Sequence, residues 1–366
     1  MASFDSATLR QQPRHAPGAG DHDAAPRANS VPAACSACPA ATPRAAWVWA
    51  GGLYAALAWA AFGGIARAWP NRVSGFTDWA YTDTIGLAAF VVAALLALLA
   101  LAGPAVAPGR TLVAALRPAG PWLAAIALGL AAWEIATAKT GWLPTPFFAP
   151  PQALIEVYLD DWPRLAGSAF NSLKLLAVGV LSGAATGFVV GVAVGWSRAI
   201  GYWVHPVLRV VGPLPATALL PLAFFVFPSS YSAAVFLIAL AAGFPVAVLT
   251  WSGVAGVGKA YYDVARTLGA NARFLVLRVA IPAALPQVFV GLFMGLGASF
   301  TVLVVAEMMG VKSGLGWYLT WAQGWASYTN MYAALIVMAL LFSGLITLLF
   351  AVRDRALAWQ KGTVKW

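Results

Sequence analysis

Between Tyr261 and Pro286 the chain reads YYDVARTLGANARFLVLRVAIPAALP, a polar and basic stretch set between two strongly apolar runs. Arg266, Arg273 and Arg278 lie within it and Lys259 stands just before it. Lys and Arg accumulate in the cytoplasmic loops of membrane proteins, so the stretch is expected to face the cytoplasm. Its first part, residues 260–268, reads as a short helix that stops at Gly269, because glycine accepts the left-handed backbone of a helix C-cap without steric cost. A second helical piece, residues 271–281, is expected to kink or end at Pro282, which lacks a backbone donor. Two short helices with a fixed elbow would then lie on the membrane face.

The composition sets the same frame. Of 366 residues 61% are hydrophobic and only 9% charged, with a mean hydropathy of +0.79. Soluble domains carry roughly a quarter charged residues, so the expected fold is an all-α polytopic membrane protein. The net charge of +10 does not point to nucleic acid, because the basic residues sit between apolar runs and near the termini, where orientation signals belong. Cys35 and Cys38, in a polar tail, are too few for a four-ligand zinc site unless His15 and His22 join them. Two of the three histidines lie in that tail, and no HExxH or GxSxG string is present, which argues against an intramembrane enzyme.

About 20 apolar residues cross a bilayer, and on that ruler the chain makes about eight crossings. Residues 1–45, rich in Ala, Pro, Ser and Asp, are expected to be a disordered cytoplasmic tail. The first apolar run begins too deep for a cleavable signal. Crossings at 46–66 and 84–105 form an additional helix pair, assigned with its inner loop to 46–118. A third at 121–138 leads to a linker where Pro144, Pro146, Pro150 and Pro151 forbid regular helix, followed by a short interfacial helix at 152–165. The fourth, 173–196, carries Gly179, Gly183, Gly187, Gly191 and Gly195 on nearly one face. Small residues at that spacing admit a close neighbour, so this face is expected inside the bundle. The fifth crossing follows a lead-in to Leu208 and is interrupted by Pro213, Pro215 and Pro221. Carbonyls freed by proline are tolerated in a membrane where protein or a water-filled cavity satisfies them, so this segment is either a pathway lining or a packing kink. Crossings at 233–252, 283–309 and 333–352 complete the count. The basic ends at both termini and the even number of crossings agree with each other.

The stretch around Gly269 resembles the EAA loop of ABC-importer permeases: Asp263-Val264-Ala265, three residues, Gly269, nine residues, Val279, one residue, Ile281-Pro282. From about Ser168 to Trp359 the runs PLPATALLPLAFF, GFPVAVLTWSGV, ARTLGA, RVAIPAALPQVFVGL, VVAEMM and SGLG look like the nitrate, taurine and aliphatic-sulfonate branch of that family. The resemblance implies a type I importer core: a first core helix and extracytoplasmic linker at 119–167, a transmembrane domain at 168–355 with the EAA loop at 258–282, and a cytoplasmic tail at 356–366. It implies an ATPase-coupling segment built on Asp263, Val264, Ala265, Arg266, Gly269 and Pro282. Its implied partners are cytoplasmic ABC ATPase subunits, an extracytoplasmic solute-binding protein and a second permease copy, in a bacterial inner membrane with both termini inside. Pro215, Thr217, Pro221, Phe244, Ser299 and Thr301 are the candidate translocation residues.

Gly253 to Lys259, GVAGVGK, satisfies GxxxxGK, but Ala260 stands where Ser or Thr must hold Mg and a membrane helix precedes it. No cofactor is therefore expected in this chain, with ATP and Mg in the partner ATPase. The alternative is an ion-gradient-driven secondary carrier, for which Glu134, Glu307 and His205 are the membrane ionisable groups. Glu134 is expected near a helix end, paired with a basic group, or facing the interior. Lys139, five residues on, is at a poor distance for helical pairing.

Overall fold

The computed structural model describes residues 48–72, 79–103, 107–212 and 214–359. The expected N-terminal tail with Cys35 and Cys38, Pro213 and the last seven residues lie outside them. Among the described residues every regular element is helical. Helix α1, Ala50–Ala68, and α2, Thr82–Ala102, form an antiparallel pair: the Trp49 amide donates to the Ala100 carbonyl at one end, and Arg67 reaches Asp83 at the other. Helix α3, Ala107–Leu116, occupies the expected basic loop and runs through a short 3-10 turn into α4, Gly120–Glu134. A π-helical turn, Ile135–Lys139, follows α4, and the linker beyond it is irregular to Pro150, where its prolines lie. Helix α5, Pro151–Asp160, is followed at once by α6, Trp162–Trp196.

Two expectations are corrected here. The 152–165 helix is not merely interfacial: Gln152, Ala153 and Leu154 are buried. And α6 is 35 residues long, starting well before residue 173, because only one residue separates it from α5 and nothing in that stretch breaks a helix.

The core is α6 against α9, Ser230–Ala255. Gly179 faces Ile238, Gly183 faces Ala239, Gly187 faces Gly243, Gly191 faces Ala247 and Gly195 faces Val254. The numbers rise together, so the two helices are parallel. A chain leaving α6 must return before α9 begins, and the return is made by α7, Arg198–Val211, and by Ala216–Leu219 with α8, Leu220–Val226. These two halves meet at 86°. The fifth crossing is thus a broken one: an amphipathic α7 takes up most of what reads as lead-in, and the break falls at Gly212 to Pro215.

Helix α10, Lys259–Thr267, precedes α11, Ala272–Met309. Pro282 neither ends nor interrupts α11; the π-helical turn at Leu275–Ala280 lies directly before it. A widened i→i+5 turn relieves the clash that proline would otherwise make with the preceding turn. Helix α11 runs antiparallel to α9, with Gly253 facing Ala284, Gly291 facing Val246, Gly295 facing Ala242 and Ser299 donating to the Ile238 carbonyl at 3.2 Å. Helices α12, Leu315–Gly324, and α13, Tyr328–Ala356, close the bundle. Among the described residues six helices are long and apolar enough to cross a membrane, seven with the bent pair counted once. Helix α1, rich in Ala and Gly, accounts for the remaining difference from eight; it follows α2 along its whole length.

Candidate functional site

The exposed stretch around Gly269 forms a small platform at the α10 end of the bundle. Tyr262 anchors it from inside: its ring lies 6.0 Å from that of Trp196, and it packs on Val254, Ala280 and Ala284. The opposite face is left open. Tyr261, Val264 and Leu268 are 70%, 61% and 83% exposed, and their i, i+3, i+7 spacing puts them on one apolar strip. That spacing was readable in the sequence, yet of the three only Val264 is singled out by the motif. Asp263 and Arg266 flank the strip as an exposed ion pair at 3.5 Å, of a kind that contributes about 0–1 kcal/mol.

The elbow is fixed by hydrogen bonds. Gly269 has φ +83°; its amide donates to Arg266 at 2.9 Å and that of Ala270 to Ala265 at 3.0 Å, the paired closure of a Schellman C-cap. The Asn271 side chain then accepts from the Phe274 amide at 2.9 Å, starting the next helix. Six coupling candidates thus fall into two groups. Asp263, Val264, Ala265, Arg266 and Gly269 are together on the platform, whereas Pro282 lies beyond the π-turn inside α11.

The translocation candidates divide as well. Pro215, Thr217, Phe244 and Thr301 line one cavity of about 340 Å³, with Gly212, Leu240 and Val302. A second, apolar cavity of about 390 Å³ lies between α6, α7 and α9 and shares Val211, Leu240 and Phe244 with the first. Phe244 stands at the helix break, so close to Gly212 that a Cβ there would lie 2.5 Å from the ring. Ser299 is not in either wall; it is buried and bonds α9. Pro221 is on the exposed start of α8. Among the described residues neither cavity is lined by a charged side chain.

Glu134, Glu307 and His205, the ionisable groups named for a carrier, are each held locally. Glu307 accepts from Ser172 Oγ at 2.7 Å and from the Gly316 amide at 2.8 Å, while Ser172 Oγ accepts from Leu315 at 2.8 Å. One carboxylate so joins the end of α11 to α6 and to the start of α12. Gly314, with φ +100°, leaves the space that carboxylate fills. Glu307→Ala should strip acceptors from two buried donors and destabilise the chain by about 1–3 kcal/mol, read as a lower thermal midpoint of the detergent-purified protein. Glu307→Gln, which keeps an acceptor, should lose less. His205 packs on Trp251 at 4.2 Å. Glu134 does pair with Lys139, at 3.6 Å, against expectation: residues Ile135–Lys139 form a π-helical turn, and i→i+5 closure brings a residue five positions on back to the same side. Nearby, burial and then the 2.7 Å bond to Asp161 push the Tyr318 phenol up, so it donates as a neutral group. Among the described residues no His, Cys, Asp and Glu side chains cluster as metal ligands.

Known proteins are similar over this architecture. The family model described as "Binding-protein-dependent transport system inner membrane component" matches residues 183–357. The nitrate import permease NrtB of Synechococcus elongatus is 28% identical over 256 residues, 67% of this chain and 89% of that protein. A protein of Brucella abortus named as a probable ABC transporter permease is 31% identical over 240 residues, 65% of this chain and 95% of its own length. A Bacillus subtilis protein named for aliphatic sulfonates transport is 33% identical over 179 residues, 48% of this chain and 65% of that protein. With a relative at that identity covered almost end to end, and a helical core threaded by the family's own stretch, this chain belongs to the binding-protein-dependent transport system inner membrane components, the permeases of ABC transporters.

Proposed function

We propose that the chain is the translocating subunit of an ATP-driven importer for a small solute of the nitrate, sulfonate or taurine kind, handed over by an extracytoplasmic binding protein. The observation that carries this is the α10 platform, a rigidly capped short helix that shows a cluster of three large apolar side chains to the outside. A patch of that kind marks a protein contact, and an ATPase subunit that closes and opens would move the core through it. Swinging a two-state gate from 1:99 to 99:1 takes about 5.5 kcal/mol of differential interaction, and ATP and Mg in that subunit would supply it. In this proposal the chain works as a homodimer in a bacterial inner membrane, with both termini and the platform cytoplasmic. Pro215, Thr217, Phe244 and Thr301 line the solute's path, and the absence of charge there leaves selectivity to the binding protein.

The test is a tagged pull-down from mild detergent. An ABC ATPase should co-purify with the native chain and be weakened by Leu268→Asp, which puts a charge on the apolar strip. Uptake should stop when ATP is depleted and persist with a protonophore. The reverse pattern would favour an ion-gradient carrier, which the local engagement of Glu134, Glu307 and His205 speaks against.

A further inference from the structure

The Synechococcus and Brucella relatives match nearly their whole length to only two thirds of this chain. The family stretch begins at residue 183 and ends nine residues before the C-terminus, so the unmatched third is largely N-terminal. It takes in α1 and α2, and one buried side chain, Lys139, makes most of the polar connection between that pair and the first core helix. Lys139, at the end of the first core helix, has no exposed side-chain surface. Its ammonium donates to the Ala66 carbonyl at 2.7 Å, to the Trp69 carbonyl at 2.6 Å and to Asn71 Oδ1 at 2.7 Å. An ammonium has three protons, and all three are used on the C-terminal end of α1 and its following turn.

The two carbonyls belong to the helix end, where backbone acceptors are left unsatisfied, and a cation is favoured there. The network continues from Asn71 Nδ2 to Thr82 Oγ1 at 3.0 Å, which brings in the start of α2. The turn also wraps the end of α4: the Arg72 amide donates to the Ala138 carbonyl at 2.8 Å, and its guanidinium to the Thr140 carbonyl. Lys139 reaches this place because the π-turn rotates it onto the side of Glu134. The apolar contact beside it is made of Phe62, Ala66, Ile85, Ala89 and Ala131. Lipid tails are as apolar as such side chains, so burying them gives little drive to hold helices together in a membrane. The polar contact is the one that lipid cannot replace.

We propose that Lys139 is a latch fixing the α1–α2 pair to the first core helix, so that the pair and that helix move as one body during transport. The latch acts through the three neutral acceptors, and Glu134 serves as the counter-charge. The test uses the full chain in membranes, with Cys35 and Cys38 changed to Ser, and with Phe62→Cys and Ala131→Cys as reporters inside the contact. Their oxidative cross-linking should be fast in the native background. It should fall at least about fivefold in Lys139→Met/Glu134→Gln, a double variant that buries no unpaired charge and so spares the core. Native cross-linking in the double variant would overturn the latch. Should that variant not accumulate, Asn71→Ala decides, with a partial fall expected and the native rate again overturning it.

A second arm asks about movement and rests on the importer reading. Joining the same two cysteines with a short bis-maleimide should leave uptake of nitrate or taurine at the unlinked rate, and arrest by the link would overturn the one-body claim. An unlinked chain that takes up neither solute would count against the importer reading, while the cross-linking arm would still decide the latch.

Discussion

Gly269→Asp is expected to abolish uptake while the chain still reaches the membrane at its native level. The backbone there has φ +83°, which costs an ordinary L-residue about 1–2 kcal/mol and Asn or Asp less. A Cβ would meet nothing within 4 Å, so the substitution leaves the fold of the platform standing. What changes is the surface offered to a partner. An unpaired carboxylate beside the Tyr261, Val264 and Leu268 strip would have to be desolvated on docking, and burying one charge without its partner costs about 3–5 kcal/mol. Gly269→Asn separates the two effects, since it tolerates the same backbone and adds no charge. Uptake should fall at least tenfold with Asp and stay within about threefold of native with Asn. Equal uptake in native and Asp chains would sink the assignment of this helix as the coupling element.

The largest effect on stability should come from the seam between α6 and α9. A Cβ on Gly187 would run into the Gly243 carbonyl and lie 3.0 Å from its Cα, and one on Gly183 would lie 2.8 Å from the Ala239 Cα. These are backbone atoms that cannot rotate away, so even Ala must push the helices apart. Gly187→Ala is expected to lose about 1–3 kcal/mol, and Gly183→Leu/Gly187→Leu to leave no folded chain after detergent extraction. Gly297→Ala is the control within the same bundle, because its added methyl meets nothing within 4 Å and Ala is the better helix former. Thermal unfolding of the purified native, Gly187→Ala and Gly297→Ala chains checks the order. A Gly187→Ala midpoint equal to that of Gly297→Ala would mean that the helices are not held at this distance.

How much of this was legible depended on whether one segment carried its own reason. The Schellman cap at Gly269 was readable because a cap is a local affair, needing a glycine and the helix before it. The stripe from Gly179 to Gly195 was readable because 3.6-residue periodicity assigns its face whatever the neighbour is. The sequence did not say which helix lies against that face. Nor could it show that α6 and α9 run parallel, which is what requires a return crossing between them.

By itself, then, the sequence determined the membrane class, the stop at Gly269, the inward glycine face and the family resemblance, each a matter of composition or short-range spacing. Only the tertiary structure decided the pairing of Glu134 with Lys139, the passage of α11 through Pro282 and the separation of Ser299 and Pro221 from the cavity at Phe244. The first two turn on π-helical turns, which change the side a residue faces by one position in every turn. Regular α-helical counting has no place for that shift, and the lining of a cavity is set by helices far apart in the chain.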